Sequence, residues 1–202
     1  DTIARLHQDE QFAPFNPGNL IPHHFNREKA ILEIYVDDVT LYKTLTTRPI
    51  FDFTEAVAKI LTEICGRGFS VSTIKHAHHV FDVDHPGKDS YRHRQAGATE
   101  VLLASRKRFA LMHELRGEAE PRLEDLLAKL APVDLVLIEG YKRDAHPKVE
   151  AFRAETGNPL IAQEDPTIKA VASDVPLQLD RPVFDLNDTG AIADFILAEV
   201  GL

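Results

Sequence analysis

Apolar residues in this chain form two kinds of pattern, short continuous runs that suit strands and i, i+3, i+4 spacings that suit helices, and both begin only after residue 28. Residues 1 to 28 are rich in Pro, Asn, Gln and His without a period and are expected to form an irregular arm. Ala30 to Val36 (AILEIYV) is expected as a strand, and Val39 to Leu45 as a weaker second one. Asp52 and Glu55 resemble a capping box ahead of Ala56, Val57, Ile60, Leu61 and Ile64, which predicts a helix over Phe53 to Cys65 closed by Gly66. Phe69 to Ile74 follows as a strand. Asp89 is expected to cap a short helix running through Arg94 and ending at Gly97. Thr99 to Ala104 and Phe109 to Glu114 then read as two strands joined by the basic turn Ser105 to Arg108.

Downstream, Pro121 with Leu123, Leu126, Leu127 and Leu130 predicts a helix of nearly three turns. Val133 to Ile138 (VDLVLI) has the continuous apolar character of a strand buried on both faces of a parallel sheet. Further strands are expected near Val149 to Phe152, Leu160 to Ala162 and Lys169 to Ala172. A final helix over Thr189 to Val200 turns Ile192, Phe195, Ile196 and Val200 inward, with Asp188 as its cap. Strands alternating with helices predict an α/β three-layer domain with a mostly parallel sheet over residues 29–202, preceded by the arm.

Composition narrows the classes. An apolar fraction of 44% and a charged fraction of 27% are those of an ordinary globular chain, and no apolar run approaches the ~20 residues that span a bilayer. A net charge of -9, from 32 acidic and 23 basic residues, argues against nucleic acid as a partner, although Arg92, Arg94, Arg106, Lys107 and Arg108 leave room for a local basic patch. The single cysteine, Cys65, excludes an intrachain disulfide and a multi-cysteine zinc site, and its place in an apolar helix predicts a core position. No secretory signal is visible, so a cytoplasmic protein is expected.

Chemistry concentrates at two strand ends. Ile74 to Ala98 holds five of the ten histidines (His76, His78, His79, His85 and His93) with Asp82, Asp84, Asp89, Lys75, Lys88, Arg92 and Arg94, and it leaves a strand where open α/β sheets bind their ligands. A solvated loop with incidental histidines is the competing account. The second strand ends in Glu139-Gly140-Tyr141-Lys142. This places a carboxylate suited to Mg²⁺ at the same edge and a glycine that permits close approach. His113 is expected at the edge of the core, and Arg106 to Arg108 as a solvated turn. His146-Pro147-Lys148 follows the Glu139 strand within range of an anionic group, though an ordinary loop is the simpler account.

The segments STIKHAHHVFDVDHPGKDSYRHRQAGA, ALMHELRG and DLVLIEGYKRDAHPKVE, with Asp165-Pro166 and Val171 to Asp174, together resemble the molybdopterin-guanine dinucleotide biosynthesis adaptor (MobB) family over roughly Arg67 to Asp174. The resemblance implies a P-loop NTPase fold, GTP and Mg²⁺ as ligands, at most weak GTP hydrolysis, homodimerisation, and a MobA-like molybdenum cofactor guanylyltransferase as partner. It places Lys75, His76, His78, His79, Asp82, Gly140 and Lys142 on the nucleotide side and Asp84 and Glu139 on the metal side. Residues 29–66 match poorly. The family's Gly-rich loop is expected near Asp52-Phe53-Thr54, yet no glycine lies between Gly18 and Gly66, Pro49 lacks an amide donor, and Lys43-Thr44 lies too far upstream. The expectation is an adaptor with impaired nucleotide binding. Two alternatives stand beside it: a metal-dependent hydrolase using His76, His78, His79, Asp82, Asp84 and His85, although no HExxH spacing is present, and a nucleotide-independent partner-binding module.

Overall fold

Four consecutive apolar residues, Leu135 to Ile138, are all buried, and their strand is the clearest guide to the sheet around them. The structure, a computed structural model, describes residues 31–36, 53–77 and 81–202. The expected arm, the expected strand over Val39 to Leu45, and His78 and His79 lie outside the described residues.

Among the described residues the main sheet has six strands: β1 (Ile31–Val36), β2 (Val71–Lys75), β5 (Leu135–Glu139), β6 (Lys148–Phe152), β7 (Ile168–Ser173) and β8 (Val183–Asp185). Their order is β2-β5-β1-β6-β7-β8, and every neighbouring pair is parallel. The remaining strands, β3 (Glu100–Ala104) and β4 (Phe109–His113), form a separate antiparallel hairpin. Helices α1 (Phe53–Gly66) and α4 (Thr189–Val200) cover one face of the sheet, and the short α3 (Leu123–Leu127) covers part of the other.

Strand alternation sorts the core between these faces. Leu135 and Leu137 join Leu32, Ile34, Ile60, Ile64 and Ile196 on the α1/α4 face, whereas Val136 and Ile138 join Leu123 on the α3 face. A third cluster, Ala162, Ile168 and Val171, lies farther along the sheet. The final helix is the one expected: Asp188 accepts from the Ala191 amide at 3.0 Å, and Ile192, Ile196 and Val200 are buried. Cys65 is exposed, not in the core, because one residue past the buried Ile64 is a rotation of about 100°.

Several local expectations are corrected. Asp89 does not cap α2 (Asp89–Gln95); Lys88 holds the cap position and Asp89 lies in the first turn, where its charge suits the helix dipole. The helix after Pro121 is shorter than the leucine spacing implied: Arg122 is its cap residue, and past Leu127 the chain tightens into i to i−3 bonds from Lys129 and Leu130. Pro132 follows and disfavours helical geometry at the residue before it. Leu160 to Ala162 is no strand. The chain forms a 3₁₀ turn over Ile161–Gln163, because the buried Glu150 carboxylate of β6 takes the Ile161 amide at 2.9 Å and the Ala162 amide at 2.7 Å. The three-residue β8, entered from Pro182, was too short to stand out as a pattern.

The hairpin pairs Val101 with Met112, both buried. On its opposite face Leu102, Phe109 and Leu111 are 61%, 74% and 49% exposed. A two-stranded unit with an uncovered apolar face is unusual in isolation.

A polar sheet edge with a cleft on each face

The register of β2 and β5 sets Lys75 directly beside Glu139 at the carboxyl end of both strands. The Lys75 ammonium lies 2.6 Å from the Glu139 carboxylate. The His76 amide continues the ladder by donating to the Glu139 carbonyl at 2.8 Å. Strand β1 continues past this level, since its Glu33 is opposite Ile138 while Val36 reaches Ala151 of β6. Strand β1, which precedes α1 in the chain, is therefore central, flanked by β5 and β6. Between α1 and this edge lies a cleft of about 220 Å³, apolar at Ile34, Val57 and Leu137 and polar at Thr54, Lys75 and Glu139.

Alternation turns the next residue of each strand to the other face. His76 approaches Glu120 at 2.6 Å through Nε2 and meets the Tyr141 ring edge-on, with centroids 5.5 Å apart. Gly140 makes this contact feasible: its φ is +97°, and a Cβ there would come within 2.7 Å of the His76 Cβ. These residues open onto a second cleft of about 640 Å³ on the α3 face.

Of the residues expected on the nucleotide side, Lys75, His76 and Gly140 converge at this edge, and Lys142 lines the α3-face cleft. Asp82 and Asp84 are engaged elsewhere. The Arg94 guanidinium binds Asp82 at 2.7 Å, Asp84 at 2.6 and 3.1 Å, and Glu114 at 2.9 Å. Both oxygens of Asp84, the carboxylate expected on the metal side, thus face Arg94. Asp82, Asp84 and α2 are thereby tied to the end of the hairpin. Among the described residues no three His, Cys, Asp or Glu side chains converge on a metal position, so the described members of the hydrolase constellation, His76, Asp82, Asp84 and His85, form no ligand cage.

The hydrogen bond from Arg94 holds the Asp84 carboxyl below its ordinary value, against an opposing push from burial. A depressed folded-state pKa contributes stability above the unfolded pKa, about 4, and that contribution is lost as pH falls through the folded value. Arg94→Gln is therefore expected to flatten the acid limb of stability. Melting temperatures from about pH 6 down to about pH 2 measure this, and an acid limb identical to that of the unaltered chain would contradict the pairing.

Two further residues depart from expectation. His113 is exposed and bonded to Glu100 at 2.8 Å, so it does not lie at the edge of the core. Lys148 is 1% exposed and donates to the Asp144 carbonyl and the Thr167 hydroxyl, so it supports the site loop from beneath and has no free reach to an anion. Ser105 organises the basic turn, accepting from the Lys107 and Arg108 amides at 3.3 and 3.2 Å. Glu120, Arg143 and Asp144, which line the α3-face cleft, carried no recognisable spacing in the sequence.

Comparison with known proteins places this geometry. A family model described as "MobB: Molybdopterin guanine dinucleotide synthesis protein B" matches residues 53–174, more than half of the chain. The molybdopterin-guanine dinucleotide biosynthesis adapter protein of Escherichia coli (strain K12) is 42% identical over 147 residues, covering 71% of this chain and 84% of that protein. The Haemophilus influenzae protein of the same description is 40% identical over 146 residues, covering 71% and 80%. Among solved structures, a MobB homolog from Bacillus stearothermophilus superposes with a TM-score of 0.60 at 26% identity, covering 85% of this chain and 97% of that one. Bacillus subtilis MobB superposes with a TM-score of 0.62 at 20% identity over 84% and 97%, a likeness of fold alone. The three-layer, P-loop-like α/β architecture expected from the sequence is the one observed, and the chain belongs to the MobB family of molybdopterin guanine dinucleotide synthesis proteins.

Proposed function

We propose that this chain is an adaptor in molybdopterin guanine dinucleotide biosynthesis that offers a guanylyltransferase partner a GTP- and Mg²⁺-binding sheet edge with a weakened grip on phosphate. The observation that carries the reading is the in-register Lys75–Glu139 pair at the carboxyl edge, beside the central β1. Ligands of open α/β sheets occupy this crevice, where the strand order reverses. Glu139 fits a Mg²⁺ ion: its carboxylate is partly exposed, and Mg²⁺ takes one or two carboxylates with waters and phosphate oxygens. Bound there, the ion would neutralise phosphate charge. Asp84 does not fit that role, because a metal would have to displace Arg94 from both of its oxygens. Lys75 is the cation placed to meet phosphate, and His76, Gly140 and Lys142 shape the edge behind it. His78, His79 and Asp82 belong to the segment leaving this edge.

The weakened grip follows from sequence. A phosphate cradle needs bare backbone with positive φ, and the connection from β1 to α1 contains no glycine. The uncovered apolar face of Leu102, Phe109 and Leu111 supports homodimerisation through the hairpin. No described helix is long and apolar enough to cross a membrane, in keeping with action in the cytoplasm.

Titration with a fluorescent GTP analogue tests the reading. Affinity weaker than micromolar is expected with Mg²⁺, and Glu139→Gln is expected to remove whatever Mg²⁺ dependence the binding has. Micromolar or tighter Mg²⁺-dependent affinity would sink the weakened grip. Equal capture of the guanylyltransferase with and without GTP would instead favour the nucleotide-independent module that the missing glycines also support.

A further inference from the structure

We propose that the Lys75–Glu139 ion pair is a latch that couples the two ligands of the sheet edge. Lys75 fills the cation place at Glu139 and Glu139 fills the anion place at Lys75, so polyphosphate and a divalent cation bind well together and poorly apart. The proposal rests on the reading of this edge as the nucleotide site and adds how that site is controlled.

Strand alternation brings the pair to one face of the sheet. Glu139 follows Leu135 and Leu137 toward α1, and Lys75 follows Val71. The register makes them direct neighbours, and their charged groups close to 2.6 Å. Each is the other's only side-chain partner among the described residues, so breaking the pair frees both groups at once. Both line the α1-face cleft with Thr54, which lies in the first turn of the 14-residue α1. The positive end of that helix dipole favours an anion in the same space.

Electrostatics then sets the coupling. A polyphosphate that draws Lys75 away in the absence of a metal is left facing the bare Glu139 carboxylate. A divalent cation that approaches Glu139 alone meets an ammonium 2.6 Å from the same oxygen. When both arrive, Lys75 turns to phosphate oxygens, Glu139 is released to the ion, and no like charges are left facing. A lysine suits this exchange, since its ammonium is a point charge on a flexible stem and can pass between partners. The side chains are 60% and 29% exposed, so solvent screening keeps the latch weak enough to open. The coupling is reciprocal: whatever factor the cation adds to phosphate affinity, phosphate adds to cation affinity.

The test is a phosphorus NMR titration of the full chain with inorganic tripolyphosphate, in EDTA and in excess Mg²⁺. In EDTA, Glu139→Gln is expected to bind tripolyphosphate more tightly than the unaltered chain, and in Mg²⁺ the order is expected to reverse. Removing a negative charge would by itself help phosphate, so the same substitution is repeated in a Lys75→Met background. The gain with Lys75 present is expected to exceed the gain without it by about two- to fivefold, the strength of a part-exposed ion pair. An independent readout is Mn²⁺ alone, followed by electron paramagnetic resonance, which Lys75→Met is expected to bind more tightly than the unaltered chain does. Circular dichroism melts establish that the variants fold. Equal gains in the two backgrounds, or unchanged Mn²⁺ affinity, overturn the latch, while Mg²⁺-dependent binding by the unaltered chain still upholds the nucleotide reading. Tripolyphosphate binding indifferent to Lys75 and Glu139 in both media overturns the two together.

Discussion

Alanine at position 140 is expected to destabilise the protein by about 2–5 kcal/mol, the sum of a positive-φ penalty and a steric one. Gly140 has φ +97°, and a Cβ there would lie 2.7 Å from the His76 Cβ and 3.4 Å from its carbonyl oxygen. Neither neighbour is a flexible side-chain tip, so β2 and the loop after β5 must part for the methyl to fit. The parting pulls His76 away from Glu120 and Tyr141 and disturbs the register that pairs Lys75 with Glu139. Loss of stability and loss of GTP binding at the Lys75–Glu139 edge should therefore appear together. Gly157→Ala is the control: its φ is +70°, but nothing lies within 4 Å of the added Cβ. That substitution carries only the conformational cost, about 1–2 kcal/mol. Urea unfolding of the two variants compares them, and equal losses would mean that the approach of His76 to Gly140 contributes nothing.

Lys148→Met should cost about 2–4 kcal/mol, because it removes one partner from a buried polar cluster while filling the same channel. The ammonium donates to the Asp144 carbonyl and the Thr167 hydroxyl and lies 3.6 Å from Asp165. Burial alone would raise the Asp165 carboxyl, but the Thr167 hydroxyl and amide and the Lys148 charge outweigh it and hold it below its ordinary value. Methionine keeps the apolar stem in place and leaves two acceptors and a carboxylate without their cation. The turn over residues 141–144 loses its anchor in the same event. Denaturant unfolding should show the stability loss, and trypsin should cut faster after Lys142 and Arg143. An unchanged midpoint with unchanged cleavage would show that Lys148 does not support the loop.

Much of the sheet edge was legible because the relevant signals are local. The apolar run Leu135 to Ile138 announced a doubly buried strand, and its following carboxylate, Glu139, could only lie where that strand ends. Lys75 and His76 were recognisable as the exit of β2. The partners of Asp84 and Lys148 were not legible for a shared reason: a charge looks available in sequence until its partner is known. Arg94, ten residues from Asp84, turns the carboxylate into a tie between α2 and the hairpin. Thr167, 19 residues from Lys148, helps draw that ammonium inside. The 3₁₀ turn at Ile161–Gln163 was missed because the Glu150 carboxylate competes for amides that a strand would have used.

The sequence by itself determined the α/β class, the helix from Phe53, the capped helix from Asp188, the buried strand before Glu139 and the family, since periodicity, caps and motifs act over a few turns of chain. It also determined that no glycine loop precedes α1, a matter of composition alone. Only the tertiary structure decided the strand order, the union of Lys75 with Glu139 across 64 positions, and the clasp of His76 on Glu120 across 44. Those contacts depend on which strands lie side by side and on which face each residue emerges. A parallel sheet assembled through long crossovers fixes both by burying its apolar faces together, and no short window of sequence contains that information.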